Sequence, residues 1–136
     1  MIPLDKERFM KMYAFARDAS SIAEGITLER LASDKAFQYS LLYPLGQIGE
    51  LAINIGSDIA AQHPNIEWAD WRGFRNRVFH DYGTIDFSIV LEMITEALPL
   101  LLEELKEIHG DYYRQDWRLM FVKTEDLRRN EMLTVF

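Results

Sequence analysis

The sequence predicts an all-α fold, a helical bundle of four to five helices, and three observations carry that reading. Apolar residues recur at spacings of three and four along most of the chain. No alternating pattern reaches strand length, the one candidate, Leu119 to Val122, being too short to decide. Residues suited to capping, Asp5, Ser33 and Asp86, stand just ahead of periodic runs. The chain has 136 residues, 49% of them hydrophobic and 27% charged, which suits one globular domain able to bury its own core.

The first helix is expected over about Asp5 to Ile26, with Phe9, Met12, Tyr13, Ala16, Ala19, Ala23 and Ile26 on one face and Gly25 marking its end. After a short connection capped by Ser33, a second helix is expected over about Asp34 to Gln62. Its stripe is Phe37, Leu41, Leu45, Ile48, Ala52, Ile55 and Ile59. Pro44 should kink it, because proline removes an intrahelical hydrogen bond. Gly46, Gly49 and Gly56 would let a ligand or another helix come close, and helix packing is the reading adopted. His63-Pro64-Asn65 stops this helix.

A third helix, about Ala69 to Phe79, groups Trp71, Phe74 and Val78, and Tyr82-Gly83-Thr84 breaks it. The fourth begins after Asp86 and carries Phe87, Val90, Leu91, Ile94, Leu98, Leu101, Leu102, Leu105 and Ile108, with a second kink expected at Pro99. Residues 1–110 thus form the domain. The extension 111–136 balances five acids against five bases and holds Tyr112, Tyr113, Trp117 and Phe121, an aromatic content that predicts docking rather than disorder.

Composition excludes several classes of function. Cysteine is absent, which removes disulfide scaffolds, Cys-ligated metals and a cysteine nucleophile. No signal peptide is visible, and the longest apolar stretch, Ala97 to Leu102, is far too short to span a bilayer, so a cytoplasmic protein without membrane contact is expected. The net charge of −7 argues against indiscriminate nucleic-acid binding. That charge is uneven. Asp86 to Glu107 holds six acids and one base, whereas Trp71 to His80 holds Arg72, Arg75 and Arg77 and no acid.

The chemistry therefore concentrates in Arg75-Asn76-Arg77-Val78-Phe79-His80-Asp81-Tyr82. An imidazole moves protons near neutral pH. A guanidinium grips a phosphate and stabilises charge that grows on it. Five residues of ideal helix leave Arg75 and His80 about 140° apart. Either the helix ends before His80, or a second chain completes the site. His63 reads as a helix stop and His109 as a helix C-terminal cation, so no metal site is expected.

Arg75, four residues, His80, one residue and Tyr82 resemble the R-x4-H-x-Y signature of the HepT-like toxins in the HEPN superfamily (higher eukaryote and prokaryote nucleotide-binding domains). The similarity extends to Gln47-Ile48-Gly49-Glu50, to Trp68 with Arg72-Gly73-Phe74-Arg75-Asn76, to His80-Asp81-Tyr82 with Ile85-Asp86, and to Leu98-Pro99-Leu100-Leu101, covering about Phe37 to Leu105. The resemblance implies a HEPN-type bundle that forms a homodimer and cleaves RNA without a metal or other cofactor, the ribose 2′-hydroxyl attacking the adjacent phosphate. In that scheme His80 is general base or acid, Arg75 holds the phosphate and Asn76 orients it or the histidine. Arg77, Glu50 and Asp81 are supporting candidates. The resemblance further implies a toxin–antitoxin pair of type VII kind, in which an MNT-type nucleotidyltransferase silences the toxin by moving AMP to Tyr82. The alternative is a non-catalytic helical module that binds a nucleotide or partner and scaffolds the nucleotidyltransferase.

Overall fold

The computed structural model describes residues 3–80 and 83–110. The fold is all-α. Helix α1, Pro3–Ile22, buries Phe9, Met12, Ala16 and Ala19 along one stripe and ends in a turn where Gly25 takes φ of +72°, a backbone conformation that favours glycine. Asp5, expected as its cap, lies instead within the first turn, buried and paired with Arg8 at 3.4 Å.

The expected connection is itself partly helical. Thr27 Oγ1 accepts from the Arg30 amide and starts α2, Leu28–Ser33, which drives Leu31 into the core. The cap of the next helix is Asp34 rather than Ser33: its carboxylate accepts from the Phe37 amide at 3.0 Å and opens α3, Lys35–Ile53. Phe37, Leu41, Leu45, Ile48 and Ala52 form the buried stripe of α3, which packs along α1. The helix runs unbroken through the buried Pro44.

The single long helix expected to reach Gln62 is two. Helix α3 stops at Asn54, whose side-chain amide donates to the Glu50 carbonyl. Ile55 then turns into the core, and Gly56 starts α4, Ser57–Ala61. The break is held by a residue elsewhere in the chain. Arg72 donates from Nε to the carbonyl of Ala52 and from Nη2 to that of Ile55, both at 3.0 Å, and so occupies acceptors that a continuing helix would use. Its guanidinium also lies 5.3 Å from the centre of the Trp68 ring.

The third expected helix is likewise two short ones, α5, Trp68–Arg72, and α6, Phe74–Val78, meeting at Gly73. Trp71, Phe74 and Val78 are buried as the periodicity predicts. Helix α7 begins at Phe87–Glu92, passes through a π-helical turn at Met93–Ala97 and continues over 98–110. The helix runs on through Pro99, where a kink was expected, and the wider turn lies just ahead of it, where the proline has no N–H to offer and its ring crowds the carbonyl four residues back, at Thr95. The two splits and the unforeseen α2 raise the number of helices to seven among the described residues, above the four to five expected. The extension 111–136, expected to dock, and Leu119 to Val122 lie outside the described residues. No helix among the described residues is long and apolar enough to cross a membrane.

Of the three glycines expected to permit close packing, only Gly49 does so. A β-carbon there would stand 2.6 Å from the Trp71 carbonyl oxygen, whereas at Gly46 and Gly56 it would meet nothing within 4 Å. Gly46 faces open space beside α6, and Gly56 serves as a helix start.

Candidate functional site

The Gly49–Trp71 contact sets α3 against α5, and α6 follows directly from α5, so residues next to the contact face one another. Glu50, one residue beyond Gly49, reaches Arg75 on α6, with Oε1 3.4 Å from Nε. The Arg75 side chain remains 67% exposed, leaving the rest of its guanidinium open to a ligand. Arg75 and Asn76 share one wall of a shallow cavity of about 470 Å³ with Phe79. The opposite wall is α3, through Leu42, Tyr43, Gly46 and Gln47.

His80 lies beyond the end of α6, which stops at Val78, so the separation of about 140° on a continuous helix does not apply to it. Phe79 and Ile85 form an isolated antiparallel bridge, with the His80 amide donating to the Thr84 carbonyl and the Asp86 amide to the Val78 carbonyl. Gly83, at φ of +79°, permits the tight reversal between them. The pairing brings Asp86 beside His80, Oδ2 standing 3.5 Å from Nε2.

Asp86 is the residue beside the candidate site to which the sequence assigned no chemical role, having been read as a cap and as part of the family resemblance. It is a cap: Oδ1 accepts from the Ser88 and Ile89 amides and the Ser88 hydroxyl. These bonds, the Ser88 hydroxyl foremost, hold its carboxyl below the ordinary value, with His80 adding to them. The signal that could have found it is the turn at Gly83, which folds the residues on its two sides against each other.

The remaining expected site residues go elsewhere. Arg77 points away from Arg75 and His80. Its guanidinium lies 3.4 Å from Asp70 and 3.6 Å from Glu92 and donates to the Met93 sulfur at 3.3 Å. The apparent basic cluster therefore divides, Arg72 holding the end of α3, Arg77 neutralising acids of α5 and α7, and Arg75 alone facing the cavity. Asp81 and Tyr82, the expected supporting and modification residues, lie outside the described residues.

His63 does follow α4 as a stop, and its Nδ1 pairs with Glu104 at 3.0 Å while its ring meets Phe9 edge-on. His109 is not the cation expected at a helix end: its ring lies 4.6 Å from that of Tyr13, and burial, aided by the charge of Arg17, holds its pKa below the ordinary value. Among the described residues no three His, Cys, Asp or Glu side chains gather as a metal ligand set. Chemically, then, the cavity offers an open guanidinium backed by a carboxylate and a neighbouring amide, while the imidazole of His80, backed by a second carboxylate, lies just beyond Phe79 and is not among the residues lining that cavity.

Comparison with known proteins gives this arrangement a context. The family model of HepT-like ribonucleases matches residues 12–108. The chain is 26% identical over 91 residues to a protein named as a candidate RNase, MJ1380, of Methanocaldococcus jannaschii, covering 67% of this chain and 84% of that one. It is 27% identical over 85 residues to a candidate RNase, TTE0752, of Caldanaerobacter subterraneus subsp. tengcongensis, covering 62% and 76%. A probable ribonuclease HepT of Thermococcus cleftensis is 28% identical over 83 residues, covering 61% and 76%. No solved structure matches the chain at a significant level.

Proposed function

The chain belongs to the HepT-like ribonuclease family, and from that premise we propose that it is a metal-independent endoribonuclease acting through Arg75 and His80. The observation that carries this reading is the division of the three arginines, which leaves Arg75 exposed in a cavity beside Asn76 while the Gly83 turn presents His80. The ribose 2′-hydroxyl gives up its proton and attacks the neighbouring phosphorus. The bond to the 5′-oxygen breaks, that oxygen takes a proton, and the products are a 2′,3′-cyclic phosphate and a free 5′-hydroxyl. Arg75 holds the non-bridging oxygens as charge builds on them. With Nε2 of His80 turned toward Asp86, Nδ1 is the nitrogen left to exchange a proton with the substrate.

Cleavage needs a base and an acid, and one imidazole serves one of the two. The homodimer of this reading supplies the other from the second copy. The reading also keeps an MNT-type nucleotidyltransferase as antitoxin and Tyr82 as the acceptor of AMP. A phosphodiester two residues from His80 would compete with RNA phosphate for Arg75 by charge and by bulk.

The test is cleavage of single-stranded RNA by the purified chain with and without EDTA, with circular dichroism on each variant. His80→Ala and Arg75→Ala should keep their helicity and lose about 10²–10⁴-fold in rate, and EDTA should change nothing. Cutting that persists in His80→Ala, or that stops with EDTA, overturns the mechanism. Coexpression with a nucleotidyltransferase encoded beside the gene, followed by peptide mass spectrometry, should find AMP on Tyr82. AMP on Tyr112 or Tyr113 instead, or no adduct, removes that mode of control.

A further inference from the structure

Among the described residues, one pair of open cavities differs in a way that bears on RNA. One, of about 240 Å³, is rimmed by the carboxylates of Glu67, Asp70, Glu92 and Glu96, a setting that repels a polyanion. The other, of about 470 Å³, has no carboxylate in its lining and is built from two aromatic rings, two primary amides and the Arg75 guanidinium. Tyr43 is 55% exposed and Phe79 38% exposed, so both rings present surface at the cavity. Tyr43 is braced from behind by Phe15, whose ring meets it edge-on at 5.9 Å, so its outward side is presented rather than free to collapse. Between the two walls Gly46 contributes no side chain, and a β-carbon there would meet nothing within 4 Å.

From this lining we infer that the cavity is a nucleobase subsite: the base next to the phosphate held by Arg75 stacks on Tyr43 or Phe79, and Gln47 and Asn76 hydrogen-bond its edge. The inference rests on the ribonuclease reading and adds to it the group that positions the substrate. Single-stranded RNA is recognised by unstacked bases laid on aromatic faces with amides reading their edges, and each amide carries a donor and an acceptor. The volume lies within the range of small-ligand sites. The guanidinium at the rim supplies the phosphate contact, and the rings and amides supply the base contact. A ribonuclease in a chain of net charge −7 needs such non-ionic affinity, because counterion release alone cannot carry its binding.

The experiment pairs steady-state cleavage with fluorescence anisotropy on labelled, 2′-O-methylated oligo(A) and oligo(U), which bind without being cut, and with light scattering on each variant. Tyr43→Ala should raise KM and weaken oligonucleotide binding about tenfold, with a smaller change in kcat. Tyr43→Phe, which restores the ring, should recover most of that loss, and Tyr43→Leu, equally apolar but flat-faced no longer, should not. Gln47→Leu should narrow the difference in affinity between oligo(A) and oligo(U). A wild-type chain that cuts RNA while Tyr43→Ala keeps its KM overturns the subsite and leaves the ribonuclease reading standing. A wild type that neither binds nor cuts removes both. If Tyr43→Ala turns a dimer into a monomer, the ring belongs to a contact between copies and the subsite is overturned.

Discussion

Gly49 and Trp71 touch through backbone: a β-carbon on Gly49 would stand 2.6 Å from the Trp71 carbonyl oxygen. This contact fixes how far α3 and α5 can separate and how they are registered. The site depends on that register, because Glu50 follows Gly49 and reaches Arg75 from α3.

Gly49→Ala should therefore destabilise the fold by about 1–3 kcal/mol, since the obstacle is backbone and cannot swing aside. Gly46→Ala is the matched control. It lies in the same helix with open space around it, so it should be neutral or stabilise by up to about 1 kcal/mol through helix propensity. Urea unfolding of both variants checks this. Equal effects at the two positions would show that helix propensity, not the interhelical contact, governs Gly49.

The same region shows what the sequence could and could not reveal. Periodicity exposed the stripe of α3 from Phe37 to Ala52 and the buried Trp71, Phe74 and Val78, because burial leaves a repeating apolar mark on one helix. The break at Asn54 left no such mark, for Ile55 and Ile59 keep the helical spacing across it. What holds the end of α3 is Arg72, hydrogen-bonded to carbonyls 17 and 20 residues earlier, a relation no local window contains. Charge type misled in the same way. Arg72, Arg75 and Arg77 look alike in one dimension, yet Arg72 holds backbone carbonyls at the end of α3, Arg75 pairs with the Glu50 side chain there, and Arg77 turns to acids of α5 and α7. The R-x4-H spacing pointed to the candidate site, and the carboxylate beside His80 came from across a turn.

His109 should make stability depend on pH. Its folded pKa is depressed below the ordinary 6.5, chiefly by burial against Tyr13 and secondarily by the charge of Arg17. As pH falls through about 6.5 the unfolded chain takes up this proton first, so the unfolded state gains and stability drops. His109→Phe keeps a ring in place and cannot titrate. The urea midpoint of the wild type should fall further between pH 7.5 and 5.5 than that of His109→Phe. Parallel pH dependence in the two proteins would mean that His109 does not titrate in this way.

Asp86 separates two roles that a single substitution normally confuses. Oδ1 caps α7 through Ser88 and Ile89, and Oδ2 faces His80 at 3.5 Å. Asn serves as an N-cap about as well as Asp, so Asp86→Asn should retain the melting temperature to within a degree or two, whereas Asp86→Ala loses the cap and should melt about 4 °C lower. The carboxylate is held ionised by the Ser88 hydroxyl and the Ile89 amide, so its negative charge persists through any neutral assay. Removing that charge takes away the partner that orients the imidazole, so Asp86→Asn should cut RNA more slowly than the wild type while melting alike. A purely structural Asp86 would behave differently: Asp86→Asn would keep the wild-type rate, and Asp86→Ala would lose activity only in proportion to the protein unfolded. That pattern would confine Asp86 to capping and leave His80 to act without a carboxylate behind it.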